Sequence, residues 1–486
     1  MLIWALAAYL VLQFVIAWMA SRTIKVEDDY FVAGRRLGVF AVAMSVFATW
    51  FGAESVMGAS GAIASQGLAG GRADPFGYTI CLIGMAMLLA FKLREAGVLT
   101  FVDFFKQRFG PVSEKIAAVL TIPTSVIWAS AQLLAMGEIV ATVSGLPTGA
   151  GLLIGAAIII GYTTIGGLLG DVITDIVQGG VLIAGLVLLM IVVVMSGDFD
   201  FAKITPDQLS LSGFDEEGNP ESLLATLDTW MIPILGSLVA QEAISRFLGA
   251  TSPSVARRGC FIAAGLYLVV GSIPAMLGLL GAANGFQAES QDAYLPELAQ
   301  AYLDPVLYVI LMGALVSAIL STVDTTLLAI SAIATRNLIE PFAPGIPEKG
   351  KVALGRVMTA FSGVVALGVA ASGDTIKGLV EVASSFGSAG IVVALLFGLH
   401  TRFGNQMAAI ASMATGATIS FFGNGVVGWV LELFIGEEVY ETLPWYLQEI
   451  EGGFVYAVLG SLVAYIAVAI LTAPKQPADA PAADGA

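Results

Sequence analysis

The chain has 486 residues, of which 57% are hydrophobic and only 12% are charged, and its mean hydropathy is +0.89. This composition excludes an ordinary soluble globular protein and indicates a polytopic membrane protein. The formal net charge of −16 argues against a nucleic-acid partner, because nucleic acid requires a basic protein surface.

Apolar segments follow one another along almost the whole chain. Each of them approaches the ~20 residues that a helix needs to cross a bilayer. We therefore predict an all-α polytopic fold with about 13 transmembrane helices, surrounded by the lipid bilayer. The predicted spans lie near residues 2–20, 37–66, 76–93, 116–142, 147–167, 171–196, 224–247, 259–282, 304–335, 352–372, 376–400, 406–432 and 453–472.

The basic residues predict the orientation of these spans. If the loop at 21–36 is cytoplasmic, 18 of the 21 Lys and Arg residues fall on the cytoplasmic side, Arg246 among them. Only Arg72, Lys203 and Lys377 do not. The positive-inside rule then predicts a plasma (bacterial inner) membrane protein with an external N-terminus and a cytoplasmic C-terminus. No Lys or Arg is expected in the middle of the membrane.

Two of the spans contain residues that interrupt helices. Residues 45–61 of the second span include Gly52 and Glu54, and residues 229–246 of the seventh include Pro233. Discontinuous helices expose carbonyl groups and helix ends at mid-membrane, where transporters build their binding sites. Because the two broken spans are five apart, they predict a five-plus-five inverted repeat.

Residues 311–335 form an apolar span with polar residues near its middle. At about 100° per residue, Ser321, Thr322 and Thr325 share one stripe with Ala318, and an acidic residue lies beside it. Hydroxyl oxygens are hard ligands that suit a hard cation such as Na⁺. The alternative is hydrogen bonding between helices, which Ser and Thr commonly provide in membranes.

Four ordered stretches resemble the sodium:solute symporter family, which includes the sodium-coupled proline, sugar, pantothenate and sialic-acid carriers. Residues 27–38 (EDDYFVAGRRLG) resemble the cytoplasmic entry to the family's first core helix, and 52–61 (GAESVMGASG) resemble its broken first helix. Residues 162–178 (YTTIGGLLGDVITDIVQ) are similar to its GGL turn and TD-xx-Q helix. Residues 318–326 (AILSTVDTT) resemble the eighth core helix of the proline-carrier branch. The likeness covers residues 2–472.

The resemblance implies a LeuT-type core of two inverted five-helix repeats, with one extra helix before the core and two after it. The expected divisions are a first helix and cytoplasmic loop at 1–36, inverted repeat 1 at 37–196, inverted repeat 2 at 224–400, two C-terminal helices at 401–473 and a disordered tail at 474–486.

The resemblance also implies ion ligands. Matched by motif, the shared sodium site would take the carbonyl oxygens of Ala48, Phe51 and Ala318 and the side chains of Ser321 and Thr322. A second sodium or proton site, which a minority of relatives have, would combine Asp175 with Ser321, Asp324 and Thr325. The alternative for Asp175 is a structural hydrogen bond that caps the turn near residues 166–170.

A substrate cavity is expected between the second, fourth, seventh and eleventh spans. For each polar residue there, structural hydrogen bonding is the alternative role, and the tryptophans favour a core or interface position. The candidate substrate-binding residues are Glu54, Ser55, Gln132, Trp230, Gln241, Glu242, Ser384 and Ser385, with Trp128, Glu138 and Ser388 as further candidates on the same spans.

Together these features predict a secondary active transporter that is not an enzyme. It would use Na⁺ as coupling ion to carry a small polar organic solute into the cell by alternating access, and a monomer would suffice. A proton-coupled carrier of the same fold is the alternative, with Asp175, Asp324 and Glu242 as proton sites. A channel or a sensor membrane domain is the third possibility. The GxxxxGK[ST] motif of ATP-driven proteins is absent from the sequence.

Overall fold

The computed structural model describes residues 11–473 except residues 13, 17, 23, 215–217, 373–375, 386 and 424–449. Within these residues the chain folds into α-helices joined by short 3₁₀ and π turns, as the all-α prediction requires. The α-helices that follow residue 26 are α1 Glu27–Val32, α2 Val39–Trp50, α3 Ala59–Gln66, α4 Tyr78–Gly84, α5 Ala90–Ala96, α6 Phe101–Phe109, α7 Pro111–Ser144, α8 Thr148–Ser196, α9 Leu223–Leu235, α10 Gln241–Leu248, α11 Pro253–Ala283, α12 Tyr294–Tyr302, α13 Pro305–Ile333, α14 Glu348–Ala370, α15 Ile376–Ser385, α16 Ser388–His400, α17 Gln406–Gly423 and α18 Gly453–Leu471.

Helix α13 lies at the centre of the molecule. Its N-terminus is capped by Asp304, whose carboxylate accepts hydrogen bonds from the backbone N–H groups of Val306 at 2.9 Å and Leu307 at 3.2 Å. Nearly every residue from 311 to 333 is buried, whereas a surface helix buries only one stripe. Helices α7, α8 and α14 pack around it.

The first predicted break is present. Helix α2 ends at Trp50, the backbone of Phe51 leaves the helical region (φ −87°, ψ 71°), and the helix resumes with a π turn at Glu54–Gly58. Glycine allows a close approach at the break, because a Cβ on Gly52 would lie 2.8 Å from Oγ1 of Thr322. The prediction of a discontinuous second span is confirmed.

The second predicted break is also present. Helices α9 and α10 are separated by a 3₁₀ turn at Gly236–Val239 and by the extended residue Ala240 (φ −68°, ψ 108°), and the two parts are bent by 47°. A Cβ on Gly236 would lie 2.2 Å from the carbonyl oxygen of Ser384. The backbone of the break therefore touches α15 directly.

A third break was missed by the sequence analysis, which treated residues 376–400 as one continuous span. The structure divides this segment into α15 and α16 around Gly387, whose φ is +70°. Glycine adopts this left-handed conformation without steric cost. The available signal was the run of small residues SSFGSAG at 384–390, which contains few strong helix formers.

The predicted spans at 147–167 and 171–196 join as α8, which turns sharply at Gly167 (φ 59°, ψ 179°). The GGL stretch of the sequence is therefore this kink. A Cβ on Gly167 would lie 2.7 Å from Cδ2 of Tyr30, so the ring of α1 packs directly on the turn.

The number of spans is supported in part. Among the described residues, seven helices are long and apolar enough to cross a membrane, or up to eight if the bent pair counts as one span. Helices α2 and α16 are apolar but shorter. The total of about 13 stays a prediction. Residues 424–432 of the twelfth predicted span and the tail at 474–486 lie outside the described residues.

Candidate functional site

The end of α2 meets the middle of α13 at the first break. A Cβ on Gly52 would lie 2.7 Å from Oε1 of Gln132 and 2.8 Å from Oγ1 of Thr322. The backbone N–H of Ala53 donates to Oε1 of Gln132 at 2.9 Å, and Oγ1 of Thr322 donates to the carbonyl oxygen of Ala318 at 3.1 Å. The break therefore lies beside the hydroxyl-bearing turn of α13.

The five residues matched to a sodium site fall into two groups on these neighbouring helices. Ala48 belongs to the last turn of α2 and Phe51 directly follows that helix, whereas Ala318, Ser321 and Thr322 belong to α13. All five are buried. Their oxygens are uncharged carbonyl and hydroxyl groups, which are hard ligands. This set of donors fits a small monovalent cation.

Asp175 connects the same two helices to α8. One carboxylate oxygen accepts a hydrogen bond from Ser45 of α2, and the other accepts one from Ser321 of α13. Nη2 of Arg246 lies 3.2 Å from the same carboxylate. A single buried side chain thus holds α2, α8, α10 and α13 together.

Arg246 is fully buried, although the sequence analysis counted it with the basic residues of the cytoplasmic side. Its guanidinium pairs with Asp171 at 2.6 Å, donates through Nε to Oγ1 of Thr49 at 2.9 Å and is hydrogen-bonded to Thr325. The sequence did contain a signal. Asp171 and Asp175 are one helical turn apart on the same face, and two neighbouring buried carboxylates need a cationic partner.

Asp324 faces α8. Its carboxylate accepts hydrogen bonds from the hydroxyl of Tyr162 and, at 2.8 Å, from the backbone N–H of Thr325. Of the residues matched to a second cation site, Asp175 and Ser321 are hydrogen-bonded to each other, and Thr325 contacts the guanidinium described above. The guanidinium of Arg246 therefore already supplies a positive charge among the residues matched to the second cation site.

A separate cavity lies between α7, the second break and the α15–α16 break, and we call it the central cavity. Its volume of about 20 Å³ has room for about one water molecule, so it is much smaller than a small-molecule site, which commonly has a volume of roughly 300–1,000 Å³. Two of the eight candidate substrate residues, Glu242 and Ser384, line it together with Trp128. Its other polar lining residues are Thr121, Thr124, Ser125, Ser237 and Ser388.

Several other candidates have structural contacts outside the lining of the central cavity. Gln132 accepts the hydrogen bond from the first break, and Oε1 of Gln241 accepts one from the backbone N–H of Phe101 at 2.9 Å. Ser385 donates to a carbonyl oxygen within α15 at 3.2 Å. Trp230 is half-buried on α9.

Ser55 and Glu54, which follow the first break, contact two tyrosines. Oγ of Ser55 donates to Asp74 at 2.5 Å and lies 2.7 Å from the hydroxyl of Tyr267. The hydroxyl of Tyr78 donates to Glu54 at 3.4 Å. Asp74 and Tyr267 were not among the candidates, because Asp74 lies in a predicted loop, Tyr267 lies in a distant span, and the sequence alone brings neither to the break.

Three buried aromatic rings form a triangle near the first break. The ring centroids of Trp50 and Tyr78 are 6.0 Å apart, those of Trp50 and Trp128 are 6.4 Å apart, and those of Tyr78 and Trp128 are 6.2 Å apart. Each ring belongs to a different segment of the chain. Only the tertiary structure could have grouped them, and Tyr78 was missed by the sequence analysis.

Known proteins resemble this chain along most of its length. The sodium:solute symporter family matches residues 30–416. The chain is 25% identical over 441 residues to the high-affinity choline transporter 1 of Caenorhabditis elegans, an alignment that covers 86% of this chain and 72% of that protein. It is 27% identical over 475 residues to the sodium/proline symporter of Escherichia coli (strain K12), covering 93% and 92% of the two chains.

A solved structure has a similar fold. The structure of a Na⁺-coupled sialic acid symporter in a substrate-bound outward-open state superposes with a TM-score of 0.75, at 15% sequence identity, over 97% of this chain and 98% of that chain. The predicted LeuT-type architecture is thereby supported. From the match over residues 30–416, the chain belongs to the sodium:solute symporter family.

Proposed function

We propose that this protein is a secondary active transporter that couples sodium entry to the uptake of a small polar organic solute into the cell. The observation that supports it best is the close approach of the first break to Thr322, where the carbonyl end of α2 lies beside the Thr322 hydroxyl of α13. Na⁺ bound by the carbonyls of Ala48, Phe51 and Ala318 and the hydroxyls of Ser321 and Thr322 would connect the two helices.

Such a site produces coupling through linkage. Na⁺ and solute each stabilise the outward-open conformation, so each raises the apparent affinity for the other. When Na⁺ leaves toward the sodium-poor side, the connection between α2 and α13 is lost and the solute is released. A membrane potential of 100 mV contributes about 2.3 kcal/mol for each positive charge that crosses it.

The solute is proposed from the relatives and the central cavity together. The relatives are named as carriers of choline and of proline, and both compounds contain a positively charged nitrogen. We assign the solute to the position of the central cavity, beside Glu242 and Ser384, and the cavity must widen there to admit it. The other candidate residues would hold the helix breaks in the positions that form the cavity.

The proposal includes the orientation and the division of the chain. The N-terminus would be external and the C-terminus cytoplasmic in the plasma membrane, with residues 37–196 and 224–400 as the two inverted repeats. A monomer would contain the complete pathway.

A proton-coupled carrier is the second candidate, because three buried aspartates surround one guanidinium in the described cluster. Asp171 and Asp175 pair with Arg246, and Asp324 is hydrogen-bonded to Tyr162. A proton on Asp175 or Asp324 would then replace the second cation. A proton-coupled carrier requires transport that a pH gradient drives in the absence of sodium.

The test is thermal unfolding of the purified full-length protein in NaCl or KCl, with and without a panel of solutes. A ligand that binds only the folded state at 100 times its Kd raises the unfolding free energy by about 2.7 kcal/mol. We expect NaCl alone to stabilise the protein, and the transported solute to add stability only in NaCl.

Two variants and a control test the site itself. Ser321→Ala and Thr322→Ala should abolish the sodium effect. Ser130→Ala is the matched control, because Ser130 is buried and its hydroxyl donates within its own helix to Val126 at 2.7 Å. Sodium stabilisation that survives in both site variants would refute the assignment, and stability that follows pH but not sodium would favour the proton-coupled carrier.

A further inference from the structure

Three buried aspartates lie around one guanidinium where α8 meets α13. Asp171 and Asp175 pair with Arg246 at 2.6 Å and 3.2 Å, and Asp324 is hydrogen-bonded to Tyr162 beside them. All three aspartates are buried, and no other Lys or Arg pairs with them in the described part of the chain. Three carboxylates therefore face a single positive charge. Because a buried carboxylate without a cation is strongly disfavoured, this cluster requires further positive charge.

The uncompensated charge is concentrated between Asp171 and Asp324. The guanidinium and the Thr325 hydroxyl contact Oδ2 of Asp171, whereas Oδ1 of the same carboxylate is buried without a hydrogen-bond partner among the described residues. The carboxyl group of Asp324 lies within hydrogen-bonding reach of Asp171, but two ionised carboxylates have no proton to share and repel each other. A cation between them would remove this repulsion.

A small cavity lies at the same place, beside the turn of α8 at Gly167, and we call it the kink cavity. Asp171 and Asp324 line it together with Tyr162, Thr163 and the glycines of the turn. Its volume of about 10 Å³ has room for about one water molecule or one dehydrated Na⁺ ion. The size of the kink cavity therefore excludes an organic solute and restricts the ligand to a single small ion or water molecule.

Uncharged oxygens are available at the kink cavity as well. Thr163 is 2% exposed, and its Oγ1 atom is buried without a hydrogen-bond partner in the part of the chain that the structure describes. The backbone departs from helical geometry at Gly167 (φ 59°, ψ 179°), and an interrupted helix leaves carbonyl groups of its last turn without helical partners. Hydroxyl, carbonyl and carboxylate oxygens are the ligands that a hard cation takes.

We infer that the kink cavity binds one Na⁺ ion between the carboxylates of Asp171 and Asp324 and the hydroxyl of Thr163. This inference rests on the proposed function and adds a second bound ion to it. The ion would compensate the charge that Arg246 leaves unpaired, and it would connect α8 to α13 on the side of the guanidinium that faces the turn of α8.

The kink cavity differs from the second cation site that was matched by motif. At the matched site, the guanidinium of Arg246 lies 3.2 Å from Asp175 and is hydrogen-bonded to Thr325. The chain's own cation therefore already occupies that position. Asp171 and Thr163, which belong to the kink cavity, were not among the matched residues.

A single Na⁺ ion fits the kink cavity better than a proton or a divalent cation does. A proton shared by the two carboxylates would lower the negative charge, but it would leave the cavity unfilled and the Thr163 hydroxyl without a partner. A divalent ion such as Ca²⁺ takes about six to eight oxygen ligands. No group of three or more His, Cys, Asp or Glu side chains within the described residues is arranged to hold a metal ion, so the two carboxylates suit a monovalent ion.

The experiment counts bound ions through the unfolding free energy of the purified full-length protein in detergent micelles. NaCl is varied at constant ionic strength against N-methyl-D-glucamine chloride, whose bulky cation does not fit the kink cavity. Well above the Kd, each Na⁺ ion that only the folded state binds adds RT to the slope of the unfolding free energy against the natural logarithm of the sodium concentration. We expect the slope of two ions for the wild type.

Variants at the kink cavity locate the second ion. Changes even to the outer partners of a metal ion weaken its binding by about 10–100-fold, so Thr163→Val should weaken the second Na⁺ roughly 10-fold or more and give a one-ion slope over the concentrations that saturate the wild type. Thr163→Ser keeps the hydroxyl and should keep the two-ion slope. Asp171→Asn should also give a one-ion slope, although it loses the ion pair with Arg246 as well. Thr164→Val is the matched control, because the Thr164 hydroxyl donates within its own helix to the carbonyl oxygen of Ile160 at 2.6 Å.

Failure of this inference and failure of the proposed function give different results. A one-ion slope in the wild type that Ser321→Ala abolishes overturns the kink site, while the proposed sodium coupling stands. A two-ion slope that neither Thr163→Val nor Asp171→Asn changes overturns the location of the second ion. A one-ion slope that survives in Ser321→Ala and disappears in Thr163→Val supports the kink site and overturns the ligands assigned in the proposed function. A wild type whose stability does not depend on sodium overturns both.

Discussion

Replacing Arg246 with methionine should destabilise the protein more than replacing any exposed arginine. The guanidinium is fully buried and lies 2.6 Å from Asp171 and 3.2 Å from Asp175. Methionine fills much of the same volume but leaves both carboxylates without their cation. Removing one partner of a buried ion pair typically costs about 3–5 kcal/mol, because the remaining charge stays buried.

A surface pair provides the comparison. Arg36 lies 3.6 Å from Asp29, and its side chain is 69% exposed. Exposed pairs of this kind contribute about 0–1 kcal/mol because water screens them. Arg36→Met should therefore change the unfolding free energy by much less than Arg246→Met.

The assay is denaturant-induced unfolding in detergent micelles, followed by circular dichroism. The double variant Arg246→Met with Asp171→Asn should recover part of the loss, since it removes one of the two unpaired carboxylates. If Arg246→Met costs no more than Arg36→Met, or if the double variant is no more stable than Arg246→Met, the buried pair does not have the energetic role described here.

Three further predictions concern the first break, the second break and Asp292, which lies between α11 and α12. Gly52→Ala would place a methyl group 2.8 Å from Oγ1 of Thr322, so it should raise the sodium concentration needed for half-maximal thermal stabilisation; an unchanged sodium titration would contradict this. Gly236→Ala would place a methyl group 2.2 Å from the carbonyl oxygen of Ser384. Overpacking of this kind lowers the unfolding free energy by about 1–3 kcal/mol. An unchanged unfolding free energy would argue against the close contact. Burial raises the pKa of the Asp292 carboxyl above its ordinary value of 3.8. The folded state therefore binds the carboxyl proton more tightly than the unfolded state does. The unfolding free energy should fall as the pH rises from 3.8 toward the raised pKa. Asp292→Asn should flatten this pH dependence, and equal slopes in the two proteins would exclude the effect.

The hydroxyl stripe of the proposed sodium site could be predicted from local pattern. Ser321 and Thr322 share a stripe with Ala318 in an apolar helix, and a helical period of 3.6 residues is enough to group them. The breaks at Gly52 and Gly236 were visible for a similar reason, since glycine and proline interrupt apolar helices wherever they cluster. The break at Gly387 was missed because Ser, Ala and Gly are common in packed membrane helices and do not by themselves indicate an interruption.

The partners of the candidate residues could not be predicted. Gln132 and Gln241 were expected in the substrate cavity, but each holds a backbone N–H group where another segment approaches. Ser55 is hydrogen-bonded to Asp74 and Tyr267. These contacts join residues that are far apart in the chain, and no periodicity within one helix reports on them.

Composition, hydropathy and helical period were sufficient for the membrane class, the helical fold, the two first breaks and the hydroxyl stripe of α13, because each of these depends on neighbouring residues only. The position of Arg246 shows what they could not determine. The sequence places it at the cytoplasmic end of the seventh predicted span, and a basic residue there needs no further explanation. Only the packing of α10 against α2 and α13 brings it to Asp171 and Asp175 of α8. A buried charge is stabilised by partners that distant parts of the chain supply, so its role is decided by the tertiary structure.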